Sequence, residues 1–232
     1  MKKRDNLHNS CTLSHVVASC FEKLTDKEML QMEENLVVVS YKKGENICKQ
    51  GTLASHIMFI CNGLVKVYME NETASLILKI LPAGNLVGLT SLLDGEHIHR
   101  YSAYAYQDCK IRMIDIKVFK DLIKQNPSFA NEVVNLLCEN QIQMQTRFFS
   151  YTQKHSYGRV ADTLICLACN IFKQEEFDLH LTRKELAELT GMTTESLIRI
   201  LSKFKNEGLI EMVGKTFTIK DKDKLQQISN FG

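Results

Sequence analysis

Two regimes of apolar patterning divide this chain. Between residues 37 and 116 the apolar positions come in short runs, 37–41, 57–61, 64–69, 76–81 and 103–116, broken by Gly44, Gly51, Gly63, Pro82, Gly84 and Gly88. Strands of this length, punctuated this often, predict a small antiparallel barrel or roll. Its interior is wide enough for a small ligand, although side chains fill such interiors as often. A polar arm and a short helix around Thr25 and Asp26 precede it. From residue 118 the period becomes helical: one helix over 118–124, a break at Asn126-Pro127, then a long helix from about 128 to 153. In that helix Val133, Leu137, Asn140, Met144 and Tyr151 fall near a heptad seam, with Arg147 the polar exception. So narrow a stripe suits a two-stranded coiled coil in which Asn140 fixes the register. The competing reading lays the helix on the roll of its own chain. Residues 155–158 read as a hinge, after which Arg159 opens a helix with Val160, Leu164, Leu167, Ala168 and Ile171 inside.

The last third carries the most specific pattern. Thr182 with Glu185 three residues on is a capping box, Leu186 and Leu189 face inward, and Gly191 stands where a helix end needs positive φ. Thr193 caps a second helix whose Leu197, Ile200, Leu201 and Phe204 make a buried stripe. Thr194, Glu195, Ser196, Ile198 and Arg199 are left near its open N-terminal end, the end that a helix-turn-helix places in the major groove. Arg199 can donate a bidentate pair to guanine, and Glu195 can accept from cytosine N4. Thr182, Thr193 and Lys203 can hold phosphates. Residues 209–212 and 217–220 read as two strands around Gly214-Lys215, a hairpin that completes a winged helix with Lys215 at its tip. Two helices alone would fit any solvated hairpin; the wing turns the reading toward double-stranded DNA.

Composition changes this picture little. The chain has 232 residues and a net charge of +2, enough mass for two domains. Residues 156–232 hold eleven Lys and Arg against eleven Asp and Glu, so any electrostatic footprint is a local patch on the second helix. The N-terminus lacks the apolar stretch of a signal peptide and no run is long enough to span a bilayer. No membrane association and a cytoplasmic location are therefore expected. Eight cysteines in such a chain read as buried small hydrophobes and not as a disulfide framework, and Cys166 and Cys169, lacking a second pair, read as core and not as a metal site. An enzyme is not expected: Gly208 stands one residue too far from Gly214-Lys215-Thr216 for a phosphate loop.

The order of roll, long helix, hinge and winged helix resembles the Crp/Fnr superfamily of bacterial transcription regulators. The likeness runs from about Leu24 to the C-terminus. It is carried by Leu181 to Leu186, Gly191, Glu195 to Arg199, Gly158 to Leu164, Gly208 with Gly214-Lys215-Thr216, and the turn glycines 44, 51, 63, 84 and 88. It implies an α+β fold: an N-terminal antiparallel β-roll (a double-stranded β-helix or jelly-roll-like domain), a long dimerisation helix, and a C-terminal winged helix-turn-helix. The expected divisions are an arm at 1–24, an effector-sensing roll at 25–125, the dimerisation helix and hinge at 126–155 and the DNA-binding domain at 156–232. The resemblance further implies a homodimer on a pseudo-palindromic operator, Glu195 and Arg199 as base readers, and RNA polymerase as a partner.

For the effector, the family's pocket maps onto Gly88, Leu89, Tyr101, Ser102, Met144 and Gln145. The family's usual ligand, cyclic AMP, is held by a Glu after the glycine and by an Arg before the serine. Leu89 and Tyr101 occupy those slots, and a phosphate buried without its guanidinium is costly. Arg100 lies one residue away, on the opposite face of a strand. Cyclic AMP is disfavoured. So is the iron–sulfur cluster of the oxygen-sensing branch, because Cys11, Cys20 and Cys109 lack its close spacings. The haem-binding branch is the favoured named alternative, with His97, His99, Met69 and Cys61 as candidate ligands, although none matches that branch's ligand slots. Another small molecule, or none, remains open. A ligand-binding module with a vestigial DNA-binding domain is the rival function.

Overall fold

A computed structural model describes residues 19–95 and 97–231; Cys11 and most of the expected arm lie outside them. The chain divides into two compact units, and the boundary falls inside the long helix, between Gln141 and Ile142.

In the first unit a 3-10 turn, Ser19–Lys23, leads to α1, Asp26–Glu34. Thr25 caps α1 through a capping box, its amide donating to the Glu28 carboxylate at 2.9 Å. Eight strands follow: β1 Leu36–Tyr41, β2 Asn46–Cys48, β3 His56–Asn62, β4 Leu64–Glu70, β5 Ser75–Pro82, β6 Leu86–Val87, β7 Ser102–Ala105 and β8 Cys109–Asp115. Among the described residues of this unit they pair into two four-stranded antiparallel sheets, ordered β1-β8-β3-β6 and β2-β7-β4-β5. Side chains alternate between the faces of a strand, and β3 has apolar neighbours on both. Met58 and Ile60 enter the core between the sheets, with Val65, Val67, Ala103 and Ile111. Ile57 and Phe59 enter a second core beneath the helices. There Phe119 of α2, Ile116–Gln125, meets Phe129 of α3, Pro127–Gln153, edge-on at 5.2 Å.

Local chemistry sets several boundaries. Asp115 accepts from the amide of Lys117 at 2.7 Å, so α2 begins before the expected residue 118. Asn126 caps α3, accepting from the Phe129 amide at 2.9 Å, and Pro127 takes the first helical position. The expected strand over 103–116 is divided: β7 and β8 lie in different sheets, joined by a corner at residues 106–108. Gly63 makes that corner possible. Its φ is +91°, and a Cβ would stand 2.5 Å from the Asp108 carbonyl oxygen.

The expected seam on α3 requires correction. Val133 lies in the core beneath the helices, and the Asn140 side-chain oxygen accepts from Lys79 of β5. Arg147 is only 4% exposed, and Tyr151 donates its hydroxyl to the Leu189 carbonyl. These residues face their own chain. The outward stripe lies about one residue round the helix, where Val134, Leu137, Met144 and Phe148 are 54, 40, 40 and 70% exposed. Apolar residues stand on both rows of α3, Val133 and Leu136 inward and Leu137 and Met144 outward, so spacing alone could not separate the face that covers its own chain from the face left open.

The second unit holds the end of α3, then α4 Ser156–Cys166, a π-helical turn Leu167–Phe172, β9 Glu176–Asp178, α5 Arg183–Thr190, α6 Thr194–Asn206, β10 Ile210–Val213, β11 Thr216–Ile219 and α7 Lys222–Phe231. The expected hinge at 155–158 shrinks to Lys154 and His155, because α4 starts at Ser156 and Gly158 is buried within it. β9 adds a third strand to the wing, in the order β10-β11-β9, and Phe177 stacks between Phe172 and Phe217. Cys166 is buried, as expected of a core residue, but it is disulfide-bonded, against the expectation that the cysteines form no disulfide framework.

Gly63→Ala combines a positive φ with a backbone clash and is expected to cost about 2 kcal/mol or more. Urea unfolding followed by far-ultraviolet circular dichroism checks this; an unchanged midpoint would refute the corner geometry.

Candidate nucleic-acid interface

The reading helix is presented by the caps and buried stripe expected of it. The Glu185 amide donates to the Thr182 hydroxyl at 3.2 Å, and the Thr182 amide donates to the Glu185 carboxylate at 3.0 Å. Gly191 closes α5 with φ +63°. The Ser196 amide donates to the Thr193 hydroxyl at 3.2 Å, which starts α6. Leu197, Ile200, Leu201 and Phe204 are then buried, which turns Glu195, Ile198 and Arg199 outward together, with Thr194 and Ser196 half-buried beside them. Ile198 is 48% exposed, an apolar side chain on the open face between an acid and a base. These groups can read base edges: carboxylate as acceptor, guanidinium as donor, methyls against thymine.

The expected phosphate holders fare differently. The Thr182 hydroxyl donates to Glu185 at 2.9 Å and that of Thr193 to Ser196 at 3.1 Å, so both serve as caps. Lys203 sits 4.7 Å over the ring of Tyr157 and 3.9 Å from Glu207. Lys215 is exposed at the β10–β11 turn beside Val213. Arg183 was not anticipated; it lies 5.2 Å over the Phe217 ring and ties α5 to the wing, and burial lowers its pKa.

Behind the turn, three side chains converge on the end of α5. Arg147 Nη2 donates to the Leu189 carbonyl at 2.9 Å, and Tyr151 Oη donates to the same oxygen at 3.0 Å. Arg159 Nε donates to the Thr190 carbonyl at 3.1 Å and Nη2 to that of Gly191 at 3.4 Å. The one hint of this in the sequence was an arginine interrupting an apolar stripe.

Within the roll, the residues expected at the effector pocket do not come together. Gly88, with φ +99°, directs its amide to the Tyr101 hydroxyl at 2.8 Å. Leu89 points into the core beneath the helices, whereas Tyr101 packs against the core between the sheets. Ser102 is fully buried and accepts from the Gln50 amide at 3.0 Å. Met144 and Gln145 are exposed on α3, in the other unit. The phosphate slot is thus filled by a phenol of the chain itself, and the residues do not fit a cyclic nucleotide. They do not fit haem either. His97 and Met69 are exposed, Cys61 is half-buried near the Phe59 carbonyl, and His99 is buried with its Nδ1 unpartnered among the described residues. Among the described residues no three His, Cys, Asp or Glu side chains gather as a metal site. Cys20 and Cys109 lie in different cores, and burial pushes the Cys20 thiol up to about 12, which disfavours the thiolate a cluster needs.

A roll of this topology joined to a winged helix defines a DNA-binding regulator, and comparison with known proteins agrees. The model of a cyclic nucleotide-binding domain matches residues 38–126 and that of a Crp-like helix-turn-helix domain matches residues 158–228. The fumarate and nitrate reduction regulatory protein of Shigella dysenteriae is 24% identical over 226 residues, 94% of this chain and 88% of that protein. Electron transport regulator A of Shewanella oneidensis is 27% identical over 195 residues, 81% and 76% of the two chains. The solved structure of FixK2 from Bradyrhizobium japonicum superposes with a TM-score of 0.75 at 18% identity, covering 83% of this chain and 96% of that one. The chain belongs to the Crp/Fnr superfamily of transcription regulators, with a DNA-binding helix-turn-helix and an effector-binding domain.

Burial favours the neutral phenol of Tyr101 and pushes its pKa up to about 12. A folded-state value above the ordinary one near 10 gives a contribution that is complete below pH ~10 and lost as pH rises through about 12. Urea titrations from about pH 9 to about pH 11 should show stability falling less steeply in Tyr101→Phe than in the wild type. Parallel slopes would remove Tyr101 from this account.

Proposed function

We propose that this regulator acts as a homodimer on a pseudo-palindromic operator, with the first turns of α6 from each copy in successive major grooves. The observation that carries the reading is the joint outward display of Glu195, Ile198 and Arg199 over a fully buried opposite face. Arg199 donates to guanine O6 and N7 and Glu195 accepts from cytosine N4. Lys215 and the wing meet the DNA backbone, which positions the protein without reading sequence. The pairing surface is the outward stripe of α3, Val134, Leu137, Met144 and Phe148. Large apolar side chains repeating along an exposed helix are the ordinary material of a two-stranded coiled coil.

The roll regulates this dimer through a ligand that is neither a cyclic nucleotide nor haem, since the residues present suit neither. DNA and RNA polymerase are the macromolecular partners, and the cytoplasm is the compartment. Among the described residues no helix is long and apolar enough to cross a membrane.

Arg199→Ala is expected to weaken binding to a selected duplex by roughly 1–3 kcal/mol and to relax the preference at one base pair in each half-site. Competition against single-base variants of that duplex measures both, and unchanged affinity would sink the groove assignment. Leu137→Asp is expected to give monomers that no longer hold DNA tightly; sedimentation showing intact dimers would refute the stripe as the interface.

A further inference from the structure

The outward face of α6 carries one side chain that the core does not account for. Leu197, Ile200, Leu201 and Phe204 fill the buried side of the helix. The other exposed positions are polar or charged, Glu195, Arg199, Ser202 and Lys203 among them, whereas Ile198 is an isoleucine left 48% exposed. A single apolar residue at a surface is ordinary, and exposure alone assigns it nothing. Its place does more. β-branched residues lose side-chain freedom in a helix, so helix stability does not favour isoleucine here. Ile198 stands three residues after Glu195, so the two share a face, and it adjoins Arg199. Consecutive helical residues point about 100° apart, so Ile198 and Arg199 diverge on either side of Glu195 and reach different base pairs.

The side chain has no donor or acceptor. On the major-groove edges of the bases the apolar group is the C5-methyl of thymine; the rest are ring nitrogens, carbonyls and amino groups. An isoleucine pressed against those displaces their water and returns no hydrogen bond, which costs affinity. In a helix β-branching also holds the side chain near one χ1 rotamer, so little freedom is lost when it docks.

We infer that Ile198 is a specificity-determining residue that recognises the C5-methyl group of one thymine in each half-site, at a base pair other than the one whose guanine Arg199 takes. This rests on the reading of α6 as the helix that enters the major groove. The same methyl on the same ring carbon distinguishes 5-methylcytosine from cytosine. Where a site carries cytosine at that position, methylation of the base therefore strengthens binding.

The full-length protein and a selected duplex test this. Each thymine of a half-site is replaced in turn by uracil, which removes the methyl and keeps every hydrogen-bonding group. At one position the replacement is expected to weaken wild-type binding about fourfold, the scale of one buried methyl group. With cytosine placed there, 5-methylcytosine is expected to bind more tightly than cytosine by about the same factor. In Ile198→Ala both ratios are expected to fall close to unity, and in Ile198→Val, which keeps the branched methyls, both are expected to persist. Each ratio compares two duplexes on the same protein, so a loss of folded protein cancels. A selected half-site without thymine, or uracil tolerated at every position, would overturn the inference. So would a methyl dependence that survives Ile198→Ala undiminished. In all three cases a loss of the guanine preference in Arg199→Ala leaves the groove reading standing. If Arg199→Ala binds as the wild type does, the reading of α6 falls and this inference with it.

Discussion

Every α-helix ends with carbonyls that its own backbone cannot satisfy, and in this protein the end of α5 is where that constraint bears hardest. Gly191 turns the chain sharply enough for α6 to start three residues later, and the turn directs the carbonyls of residues 189–191 at Arg147, Tyr151 and Arg159. Water is replaced there by two guanidinium groups and a phenol. An arginine that is 4% exposed would otherwise be an expensive thing to bury. The back of the turn is held tightly, and at the front Glu195, Ile198 and Arg199 are exposed among the described residues.

Features governed by near neighbours in sequence were legible before any coordinates. The capping box at Thr182 and Glu185, the left-handed Gly191 and the cap at Thr193 all depend on residues three or four apart. So does the stripe of Leu197, Ile200, Leu201 and Phe204. What escaped was decided by distant parts of the chain. β2, β6 and β9 are two or three residues long, too short to show a period. The corner dividing β7 from β8 depends on Gly63 far upstream. On α3 the inward row, Val133 and Asn140, and the outward row, Leu137 and Met144, cannot be told apart until the roll supplies something to pack against.

The effector region shows the same limit in sharper form. The family resemblance puts Leu89 and Tyr101 in one pocket, yet they enter separate cores. Sequence did flag that the slots for a carboxylate and a guanidinium were filled by apolar and aromatic residues. It could not show that the phenol would close the gap by taking the Gly88 amide.

That closure bears on how the domain persists in a cell. Where a small molecule supplies the partner for a backbone amide, the fold is strengthened only as far as its concentration exceeds the dissociation constant, by RT ln(1 + [L]/Kd). Tyr101 is covalently part of the chain, so the same amide is satisfied at any solute level. Starvation for a ligand would not expose this domain to proteases through that loop. This part of the domain's stability is set by the chain alone, whatever the ligand supply.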